Sequence, residues 1–388
     1  MKRLILLFVL FFNTIGFAQD VEYSIVVKDI ETQLPIENAT VVIKKNKQVL
    51  LSDRDGKVTF LLNGSSNVEI SETNYEELTL PWESLKENDF VVYLKNKNNK
   101  LDEIVLSKEN PQNILQKIVS NSTAKLAKPC RLKAYVREFF ILNNKYSYYN
   151  DGLINFQFNG SQKKVNTTLL VEQNRSYSLI EQDVSADLKG YNLNDIMENY
   201  ANLKYFDPIL DSKAKKEYDF VTKGDPTNKD YFIMTISPLD KAKKAVDTFE
   251  IVYDPEKRLI IRFSIIITPG TLAELTENKE EGAKNITRSI VKVNYKVDND
   301  DYYVLSSNEE VGYDVVLKDK AVKNIQVRNN LITTNFSKNE FAYDKSEVFK
   351  EESLFNKKNN ILTNYWNIDG FSATEEEKTL IADLEFKM

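Results

Sequence analysis

Histidine is absent from this 388-residue chain, and cysteine occurs once. The first absence removes Ser–His–Asp and Cys–His activation of a nucleophile. It also removes the histidine-containing zinc sites, His-Glu-x-x-His among them. A single cysteine, Cys130, excludes an internal disulfide and any thiolate-rich zinc or iron–sulfur centre. Glycine is scarce, with 11 residues. Neither Gly-x-Gly-x-x-Gly nor Gly-x-x-x-x-Gly-Lys-Ser/Thr occurs, so the phosphate cradles built on those loops have no support. No apolar run approaches the roughly 20 residues that cross a bilayer as a helix. Basic residues are outnumbered, 52 against 58 acidic, for a net charge of −6. A nucleic-acid partner would require the opposite balance.

Aromatic residues are plentiful, with 20 Tyr and 21 Phe, and they favour strands. The chain opens with Lys2 and Arg3, an apolar run from Leu4 to Phe12, and Gly16-Phe17-Ala18. This is the layout of a secretory signal, and cleavage is expected after Ala18. Export to the periplasm, or to association with an outer membrane, follows as an expectation. The lone cysteine then means that the exported cores must hold by burial rather than cross-linking.

Residues 19–95 read as one small β-sandwich. Strand-like patterns at Tyr23–Lys28, Ala39–Lys44, Lys57–Leu62, Val68–Ser71 and Phe90–Leu94 alternate with turn signals. The turns are Leu34-Pro35, Asp53-Arg54-Asp55-Gly56 and Asn63-Gly64. Four pieces occur in order: Val27-Lys28-Asp29, Pro35 to Val41, Ser52 to Phe60, and Asn74-Tyr75. Together they resemble the carboxypeptidase regulatory-like domain, a family common in exported proteins of Bacteroidetes-type bacteria. Leu101 to Val105 is similar to the short segment that often trails that module. The resemblance implies a seven-stranded prealbumin-like sandwich with a docking or spacer role, and it brings no catalytic residue. The chain departs from the family pattern at Ile25 and Asn74, where glycine is usual.

Residues 96–130 read as a linker followed by a helix. Asn110 caps it, Pro111 takes the first position, and Ile114, Leu115, Ile118, Val119 and Leu126 share one face. Residues 131–388 read as a larger antiparallel domain, a curved sheet or half-barrel with a few packed helices. Its layout faintly resembles the half-barrel of the LolA/LppX-type lipoprotein carriers. From Tyr218 the pattern is a meander of about seven strands, with a hairpin at Asp254-Pro255-Glu256-Lys257. Leu259, Ile261, Phe263 and Ile265 are expected on one apolar face, opposite a mainly polar face carrying Arg262 and Ser264. Thr374 and Glu377 form a capping-box pattern for a terminal helix.

Cys130, between Pro129 and Arg131, is a half-buried small residue or a thiol activated by flanking cations. Four Ser-x-x-Lys matches, at Ser122, Ser161, Ser212 and Ser289, lack the companion elements of a Ser–Lys acylase. Asp53 and Asp55 suggest a calcium loop, but Gly64 stands where its closing Glu belongs, so a plain turn is expected. Tyr146, Tyr148 and Tyr149 form the densest aromatic cluster, a sugar platform or simply core. No catalytic, cofactor-binding or metal residue is named by the sequence, and no cofactor is expected. The basic stretch 95–131, with eight basic and three acidic side chains, could touch anionic headgroups, or it is a solvated linker and helix face.

These readings lead to a non-catalytic cell-envelope protein. Its sandwich docks or spaces, and its larger domain binds an envelope protein or an amphiphilic ligand. A periplasmic carrier of an amphiphile is the alternative, and a hydrolase using two carboxylates about 5–10 Å apart is a second.

Overall fold

The computed structural model describes residues 21–46, 48–72, 75–96, 109–161, 164–178, 192–226, 228–240, 242, 246–267, 277–338, 343–350, 354, 357–360, 378–379, 381–383 and 386. The protein is mainly β, as its aromatic and β-branched composition predicts.

Seven strands come first: β1 (Val21–Asp29), β2 (Thr40–Ile43), β3 (Gln48–Leu51), β4 (Lys57–Leu62), β5 (Val68–Ser71), β6 (Leu78–Leu80) and β7 (Val91–Leu94). They form two sheets, ordered β4-β1-β7 and β3-β2-β5-β6. Alternation decides which side chains meet. In β4, Val58, Phe60 and Leu62 are buried while Lys57, Thr59 and Leu61 are not fully so. The inward sets join Ile25, Val27, Val41 and Ile70 in one core, which helix α1 (Trp82–Glu87) extends with Trp82 and Leu85. Ile25 sits inside that core opposite Val58, so a bulky residue is accommodated there. Asn74 lies outside the described residues. The Tyr75 hydroxyl donates to Asp29 Oδ2 at 2.8 Å, and Asp29 Oδ1 accepts from the Glu31 and Thr32 amides. Asp53 Oδ1 likewise accepts from the Asp55 and Lys57 amides, closing the turn at Gly56.

The remaining strands form one open antiparallel sheet. They are β8 (Cys130–Leu142), β9 (Lys145–Ser161), β10 (Lys164–Ser178), β11 (Tyr218–Gly224), β12 (Phe232–Pro238), β13 (Asp247–Asp254), β14 (Leu259–Ile267), β15 (Lys284–Asp298), β16 (Asp301–Val316) and β17 (Val322–Ser337). Their order is β10-β9-β8-β17-β16-β15-β14-β13-β12-β11. The seven-strand meander from Tyr218 is present, and β17 closes against β8. One face carries the main core, filled by helix α2 (Pro111–Leu126), helix α3 (Leu193–Asn202) and the short helical turns after it. As expected, Asn110 caps α2, accepting from the Gln112 amide at 2.8 Å.

Two details differ from the sequence reading. A β-bulge between Val252 and Tyr253 pairs Tyr253 with Ile260 and Val252 with Arg262, leaving Ile261 without a partner in the β13 ladder. Ile260 is therefore in the core and Ile261 is not, because a bulge resets which side chains face inward. The polar face is also not left to solvent, since Arg262 and Ser264 are both buried. At the C-terminus the start of the expected helix, Thr374 to Glu377, lies outside the described residues. Residues 378–379, 381–383 and 386 are helical. Ile381 packs on Phe139 and Tyr149, on the face of the sheet opposite the main core.

Candidate functional site

Strand register lines up polar residues across the outer face of the large sheet. Arg175, Asp151, Arg137, Asn330, Asn308 and Lys292 are successive cross-strand partners from β10 to β15. Asp151 is the anchor of this row. Arg137 Nε lies 2.9 Å from its Oδ1 and Arg175 Nη2 2.5 Å from its Oδ2. The hydroxyls of Tyr135 and Tyr149 also donate to it. Burial alone would raise the Asp151 pKa. The two guanidinium groups and two phenols outweigh it and hold the carboxyl below its ordinary range. Beside this row, Glu310 pairs with both Arg288 and Arg328, the latter at 3.6 Å.

The small sandwich lies over this row. Leu51 of β3 packs against Tyr135 and Ile332. Lys292 Nζ meets Glu72 Oε1 at 2.7 Å. Burial pushes the Lys292 ammonium pKa down, but Glu72 outweighs it and the net shift is upward. A void of about 20 Å³ remains between Asp53 and Arg54 of the sandwich and Arg137 and Arg328 of the sheet. That is room for about one water among charged groups. The contact is thus polar, with one apolar plug.

The inner face carries a second polar row one residue along the same strands. Ser176, Asn150, Glu138, Asn329 and Glu309 are successive partners across β10, β9, β8, β17 and β16. Glu138 accepts from Asn329 Nδ2 at 3.1 Å and Asn150 Nδ2 at 3.2 Å. Burial pushes its pKa up to about 7, against these amides. Glu309 accepts from Tyr200 at 3.0 Å and from Tyr205, and its pKa is raised by burial. One strand separates the two carboxylates' backbones, about 10 Å apart by sheet spacing. Both are bound to neutral donors of the protein, and Glu138 is enclosed.

The candidates named from sequence are not brought together. Cys130 is buried, and burial pushes its thiol up to about 12, so the activated-thiol alternative fails. Ser122 is buried and accepts from the Ile260 amide at 3.0 Å, a structural bond between α2 and β14. Ser289 and Lys292 are three apart on a strand and so face opposite ways. Tyr149 lies on the outer face with Asp151, whereas Tyr148 belongs to the inner core. The tyrosine trio therefore forms no common platform. Asp53 is engaged in its own turn, and among the described residues no group of three or more His, Cys, Asp or Glu is placed to hold a metal.

At one end of the inner face, a cavity of about 280 Å³ opens between α2 and the strands β11 to β13. Ile114, Ile118, Phe232 and Tyr253 form its walls, with Lys117 and Arg258 at its margin. Tyr253 has its hydroxyl pushed up to about 12 by burial. The cavity residues were missed in the sequence because they come from four separate elements.

No protein-family model matches the chain, and no curated protein matches it. Among solved structures, a DUF1329 family protein from Desulfovibrio piger is 10% identical, with a TM-score of 0.26, over 64% of this chain and 96% of that one. Lipovitellin, from a study of its lipid–protein interactions, is 12% identical with a TM-score of 0.23. That match covers 62% of this chain and 28% of lipovitellin. A protein of unknown function from Bacteroides fragilis is 9% identical with a TM-score of 0.15, over 82% of this chain and 99% of that one. All three likenesses are remote.

Proposed function

We propose that the protein is an exported, non-catalytic component of a cell envelope. The sandwich, read as a carboxypeptidase regulatory-like module, serves as a docking or spacer unit on the larger β domain. That larger domain engages a partner or ligand. The observation that carries this reading is the contact between the two. Leu51 plugs the site between Tyr135 and Ile332, and Glu72 pairs with Lys292, over a face whose charged groups are already committed to one another. The carboxylates best placed for acid–base work, Asp151, Glu138 and Glu309, are each held by internal donors. The signal-like segment 1–18 supports export. The test is fractionation of a Bacteroidetes-type host expressing the full chain and a chain lacking residues 19–95. The full chain should be extracytoplasmic, and loss of the sandwich should alter its association with the membrane fraction without blocking export. Cytoplasmic retention of the full chain, or identical distribution of the two, would overturn the reading.

A second reading, a carrier of an amphiphile, is favoured by the cavity of about 280 Å³ under α2. The rest of the described inner face is occupied by the protein's own Leu115, Met197, Tyr200 and Phe206. A carrier would therefore use the end of the groove rather than its full length. Transfer of a labelled fatty acid between vesicles tests that reading.

A further inference from the structure

We propose that the cavity under the first half of α2 is a binding site for a single-chain amphiphile with an anionic head, of the fatty-acid class. The site supplies a binding geometry for the carrier reading above and rests on it only in that respect. Its walls are apolar where a chain would lie: Ile114 and Ile118 from α2, Phe232 from β12 and Tyr253 from β13. Gly224 stands beside Phe232 in register, and a Cβ added there would meet nothing within 4 Å, so the space continues along β11.

The charge at the rim points to a ligand rather than to a packing defect. Thr222, 6% exposed, also lines the cavity, and its hydroxyl interacts with that of Tyr253, so the wall meets a chain with its polar groups already engaged. At the margin, Lys117 is paired with Glu109. Arg258, exposed at the end of the β13–β14 turn, makes no ion pair among the described residues. The margin therefore carries one cation in excess, which selects a monoanion. A volume of about 280 Å³ is at the low end of the ~300–1,000 Å³ usual for small-molecule pockets. One chain fits this better than two.

The experiment is calorimetric titration of the full mature chain with decanoate, with decanol and decyltrimethylammonium as probes of the head group. Decanoate should saturate at one molecule per chain and bind more tightly than either control. Arg258→Gln, at an exposed position, should weaken decanoate about fivefold, the scale of one surface charge pair, and leave decanol unchanged. Ile114→Trp should fill the cavity and abolish binding of both. A melting curve shows whether that variant folds, and if it does not, Arg258→Gln alone decides. Absence of saturable decanoate binding, equal binding of the three probes, or binding indifferent to Arg258→Gln would overturn the site. A chain that binds decanoate but transfers no fatty acid between vesicles keeps the site and sinks the carrier reading.

Discussion

Arg137 and Asp151 face each other across β8 and β9, Nε to Oδ1 at 2.9 Å, with both side chains almost wholly enclosed. Arg175 completes the arrangement from β10. Replacing Asp151 by Asn removes the charge that pairs with both guanidinium groups. Breaking a buried pair in this way costs about 3–5 kcal/mol. Urea unfolding of Asp151→Asn should show that loss at neutral pH, and a loss under about 1 kcal/mol would contradict the role assigned to Asp151. The Asp151 pKa is lowered in the folded state. Its contribution is therefore complete above the unfolded value of about 4 and disappears as pH falls through the folded value.

Glu138 has the opposite linkage. Its folded value of about 7 exceeds the unfolded value of about 4.3. The contribution is fully present below about pH 4.3 and is lost as pH rises through about 7. Glu138→Gln should therefore stabilise the chain at pH 8 by about 1–3 kcal/mol relative to its effect at pH 5. Asn329 Oδ1, which has no hydrogen-bond partner, can receive the new amide after a side-chain flip. Melting temperatures of the two proteins from pH 5 to 8 check this, and parallel curves would count against it.

Gly56 occupies a left-handed turn at φ +71, and a Cβ there would lie 2.3 Å from the Val27 carbonyl oxygen. Gly56→Ala should destabilise the sandwich by at least about 2 kcal/mol, because strain and a backbone clash add. Unfolding monitored at Trp82, which is buried in the sandwich core, reads this directly. A change below 0.5 kcal/mol, within the usual scatter for surface changes, would show the turn to be adaptable.

The sandwich has a core of its own, centred on Val41, Phe60, Ile70 and Trp82. A fragment of residues 20–96 should accordingly unfold in one cooperative step with a β-type circular dichroism signal. A non-cooperative melt would show that the fragment needs the sheet beneath it.

Local patterns in the sequence carried much of the fold. The Asp254–Lys257 turn joins β13 to β14 as a hairpin, and Asn110-Pro111 starts α2. These features depend on neighbours within a few residues, so composition and spacing reveal them. The candidate site was not legible in that way. Glu138 and Asn329 are 191 positions apart and meet only because β17 pairs with β8. Arg137 and Glu138 are adjacent polar residues in one strand. Alternation assigns one of them to solvent, yet both are buried, one near the sandwich and one in the inner core. Ile261 shows the finer limit, since a single bulge shifts the alternation on which the face assignment relied.

The sandwich is docked over the outer face of the large sheet through Leu51 and the Glu72–Lys292 pair. The most direct measurement is intramolecular cross-linking of Glu72→Cys with Lys292→Cys, positions that form an ion pair at 2.7 Å in the native chain. With Cys130 changed to Ser, only the two introduced thiols remain in the chain. A short bismaleimide should bridge them in nearly every molecule at low protein concentration, as read by intact mass. Two singly attached reagents per chain, with no bridge, would show that the sandwich does not sit where the docking role requires.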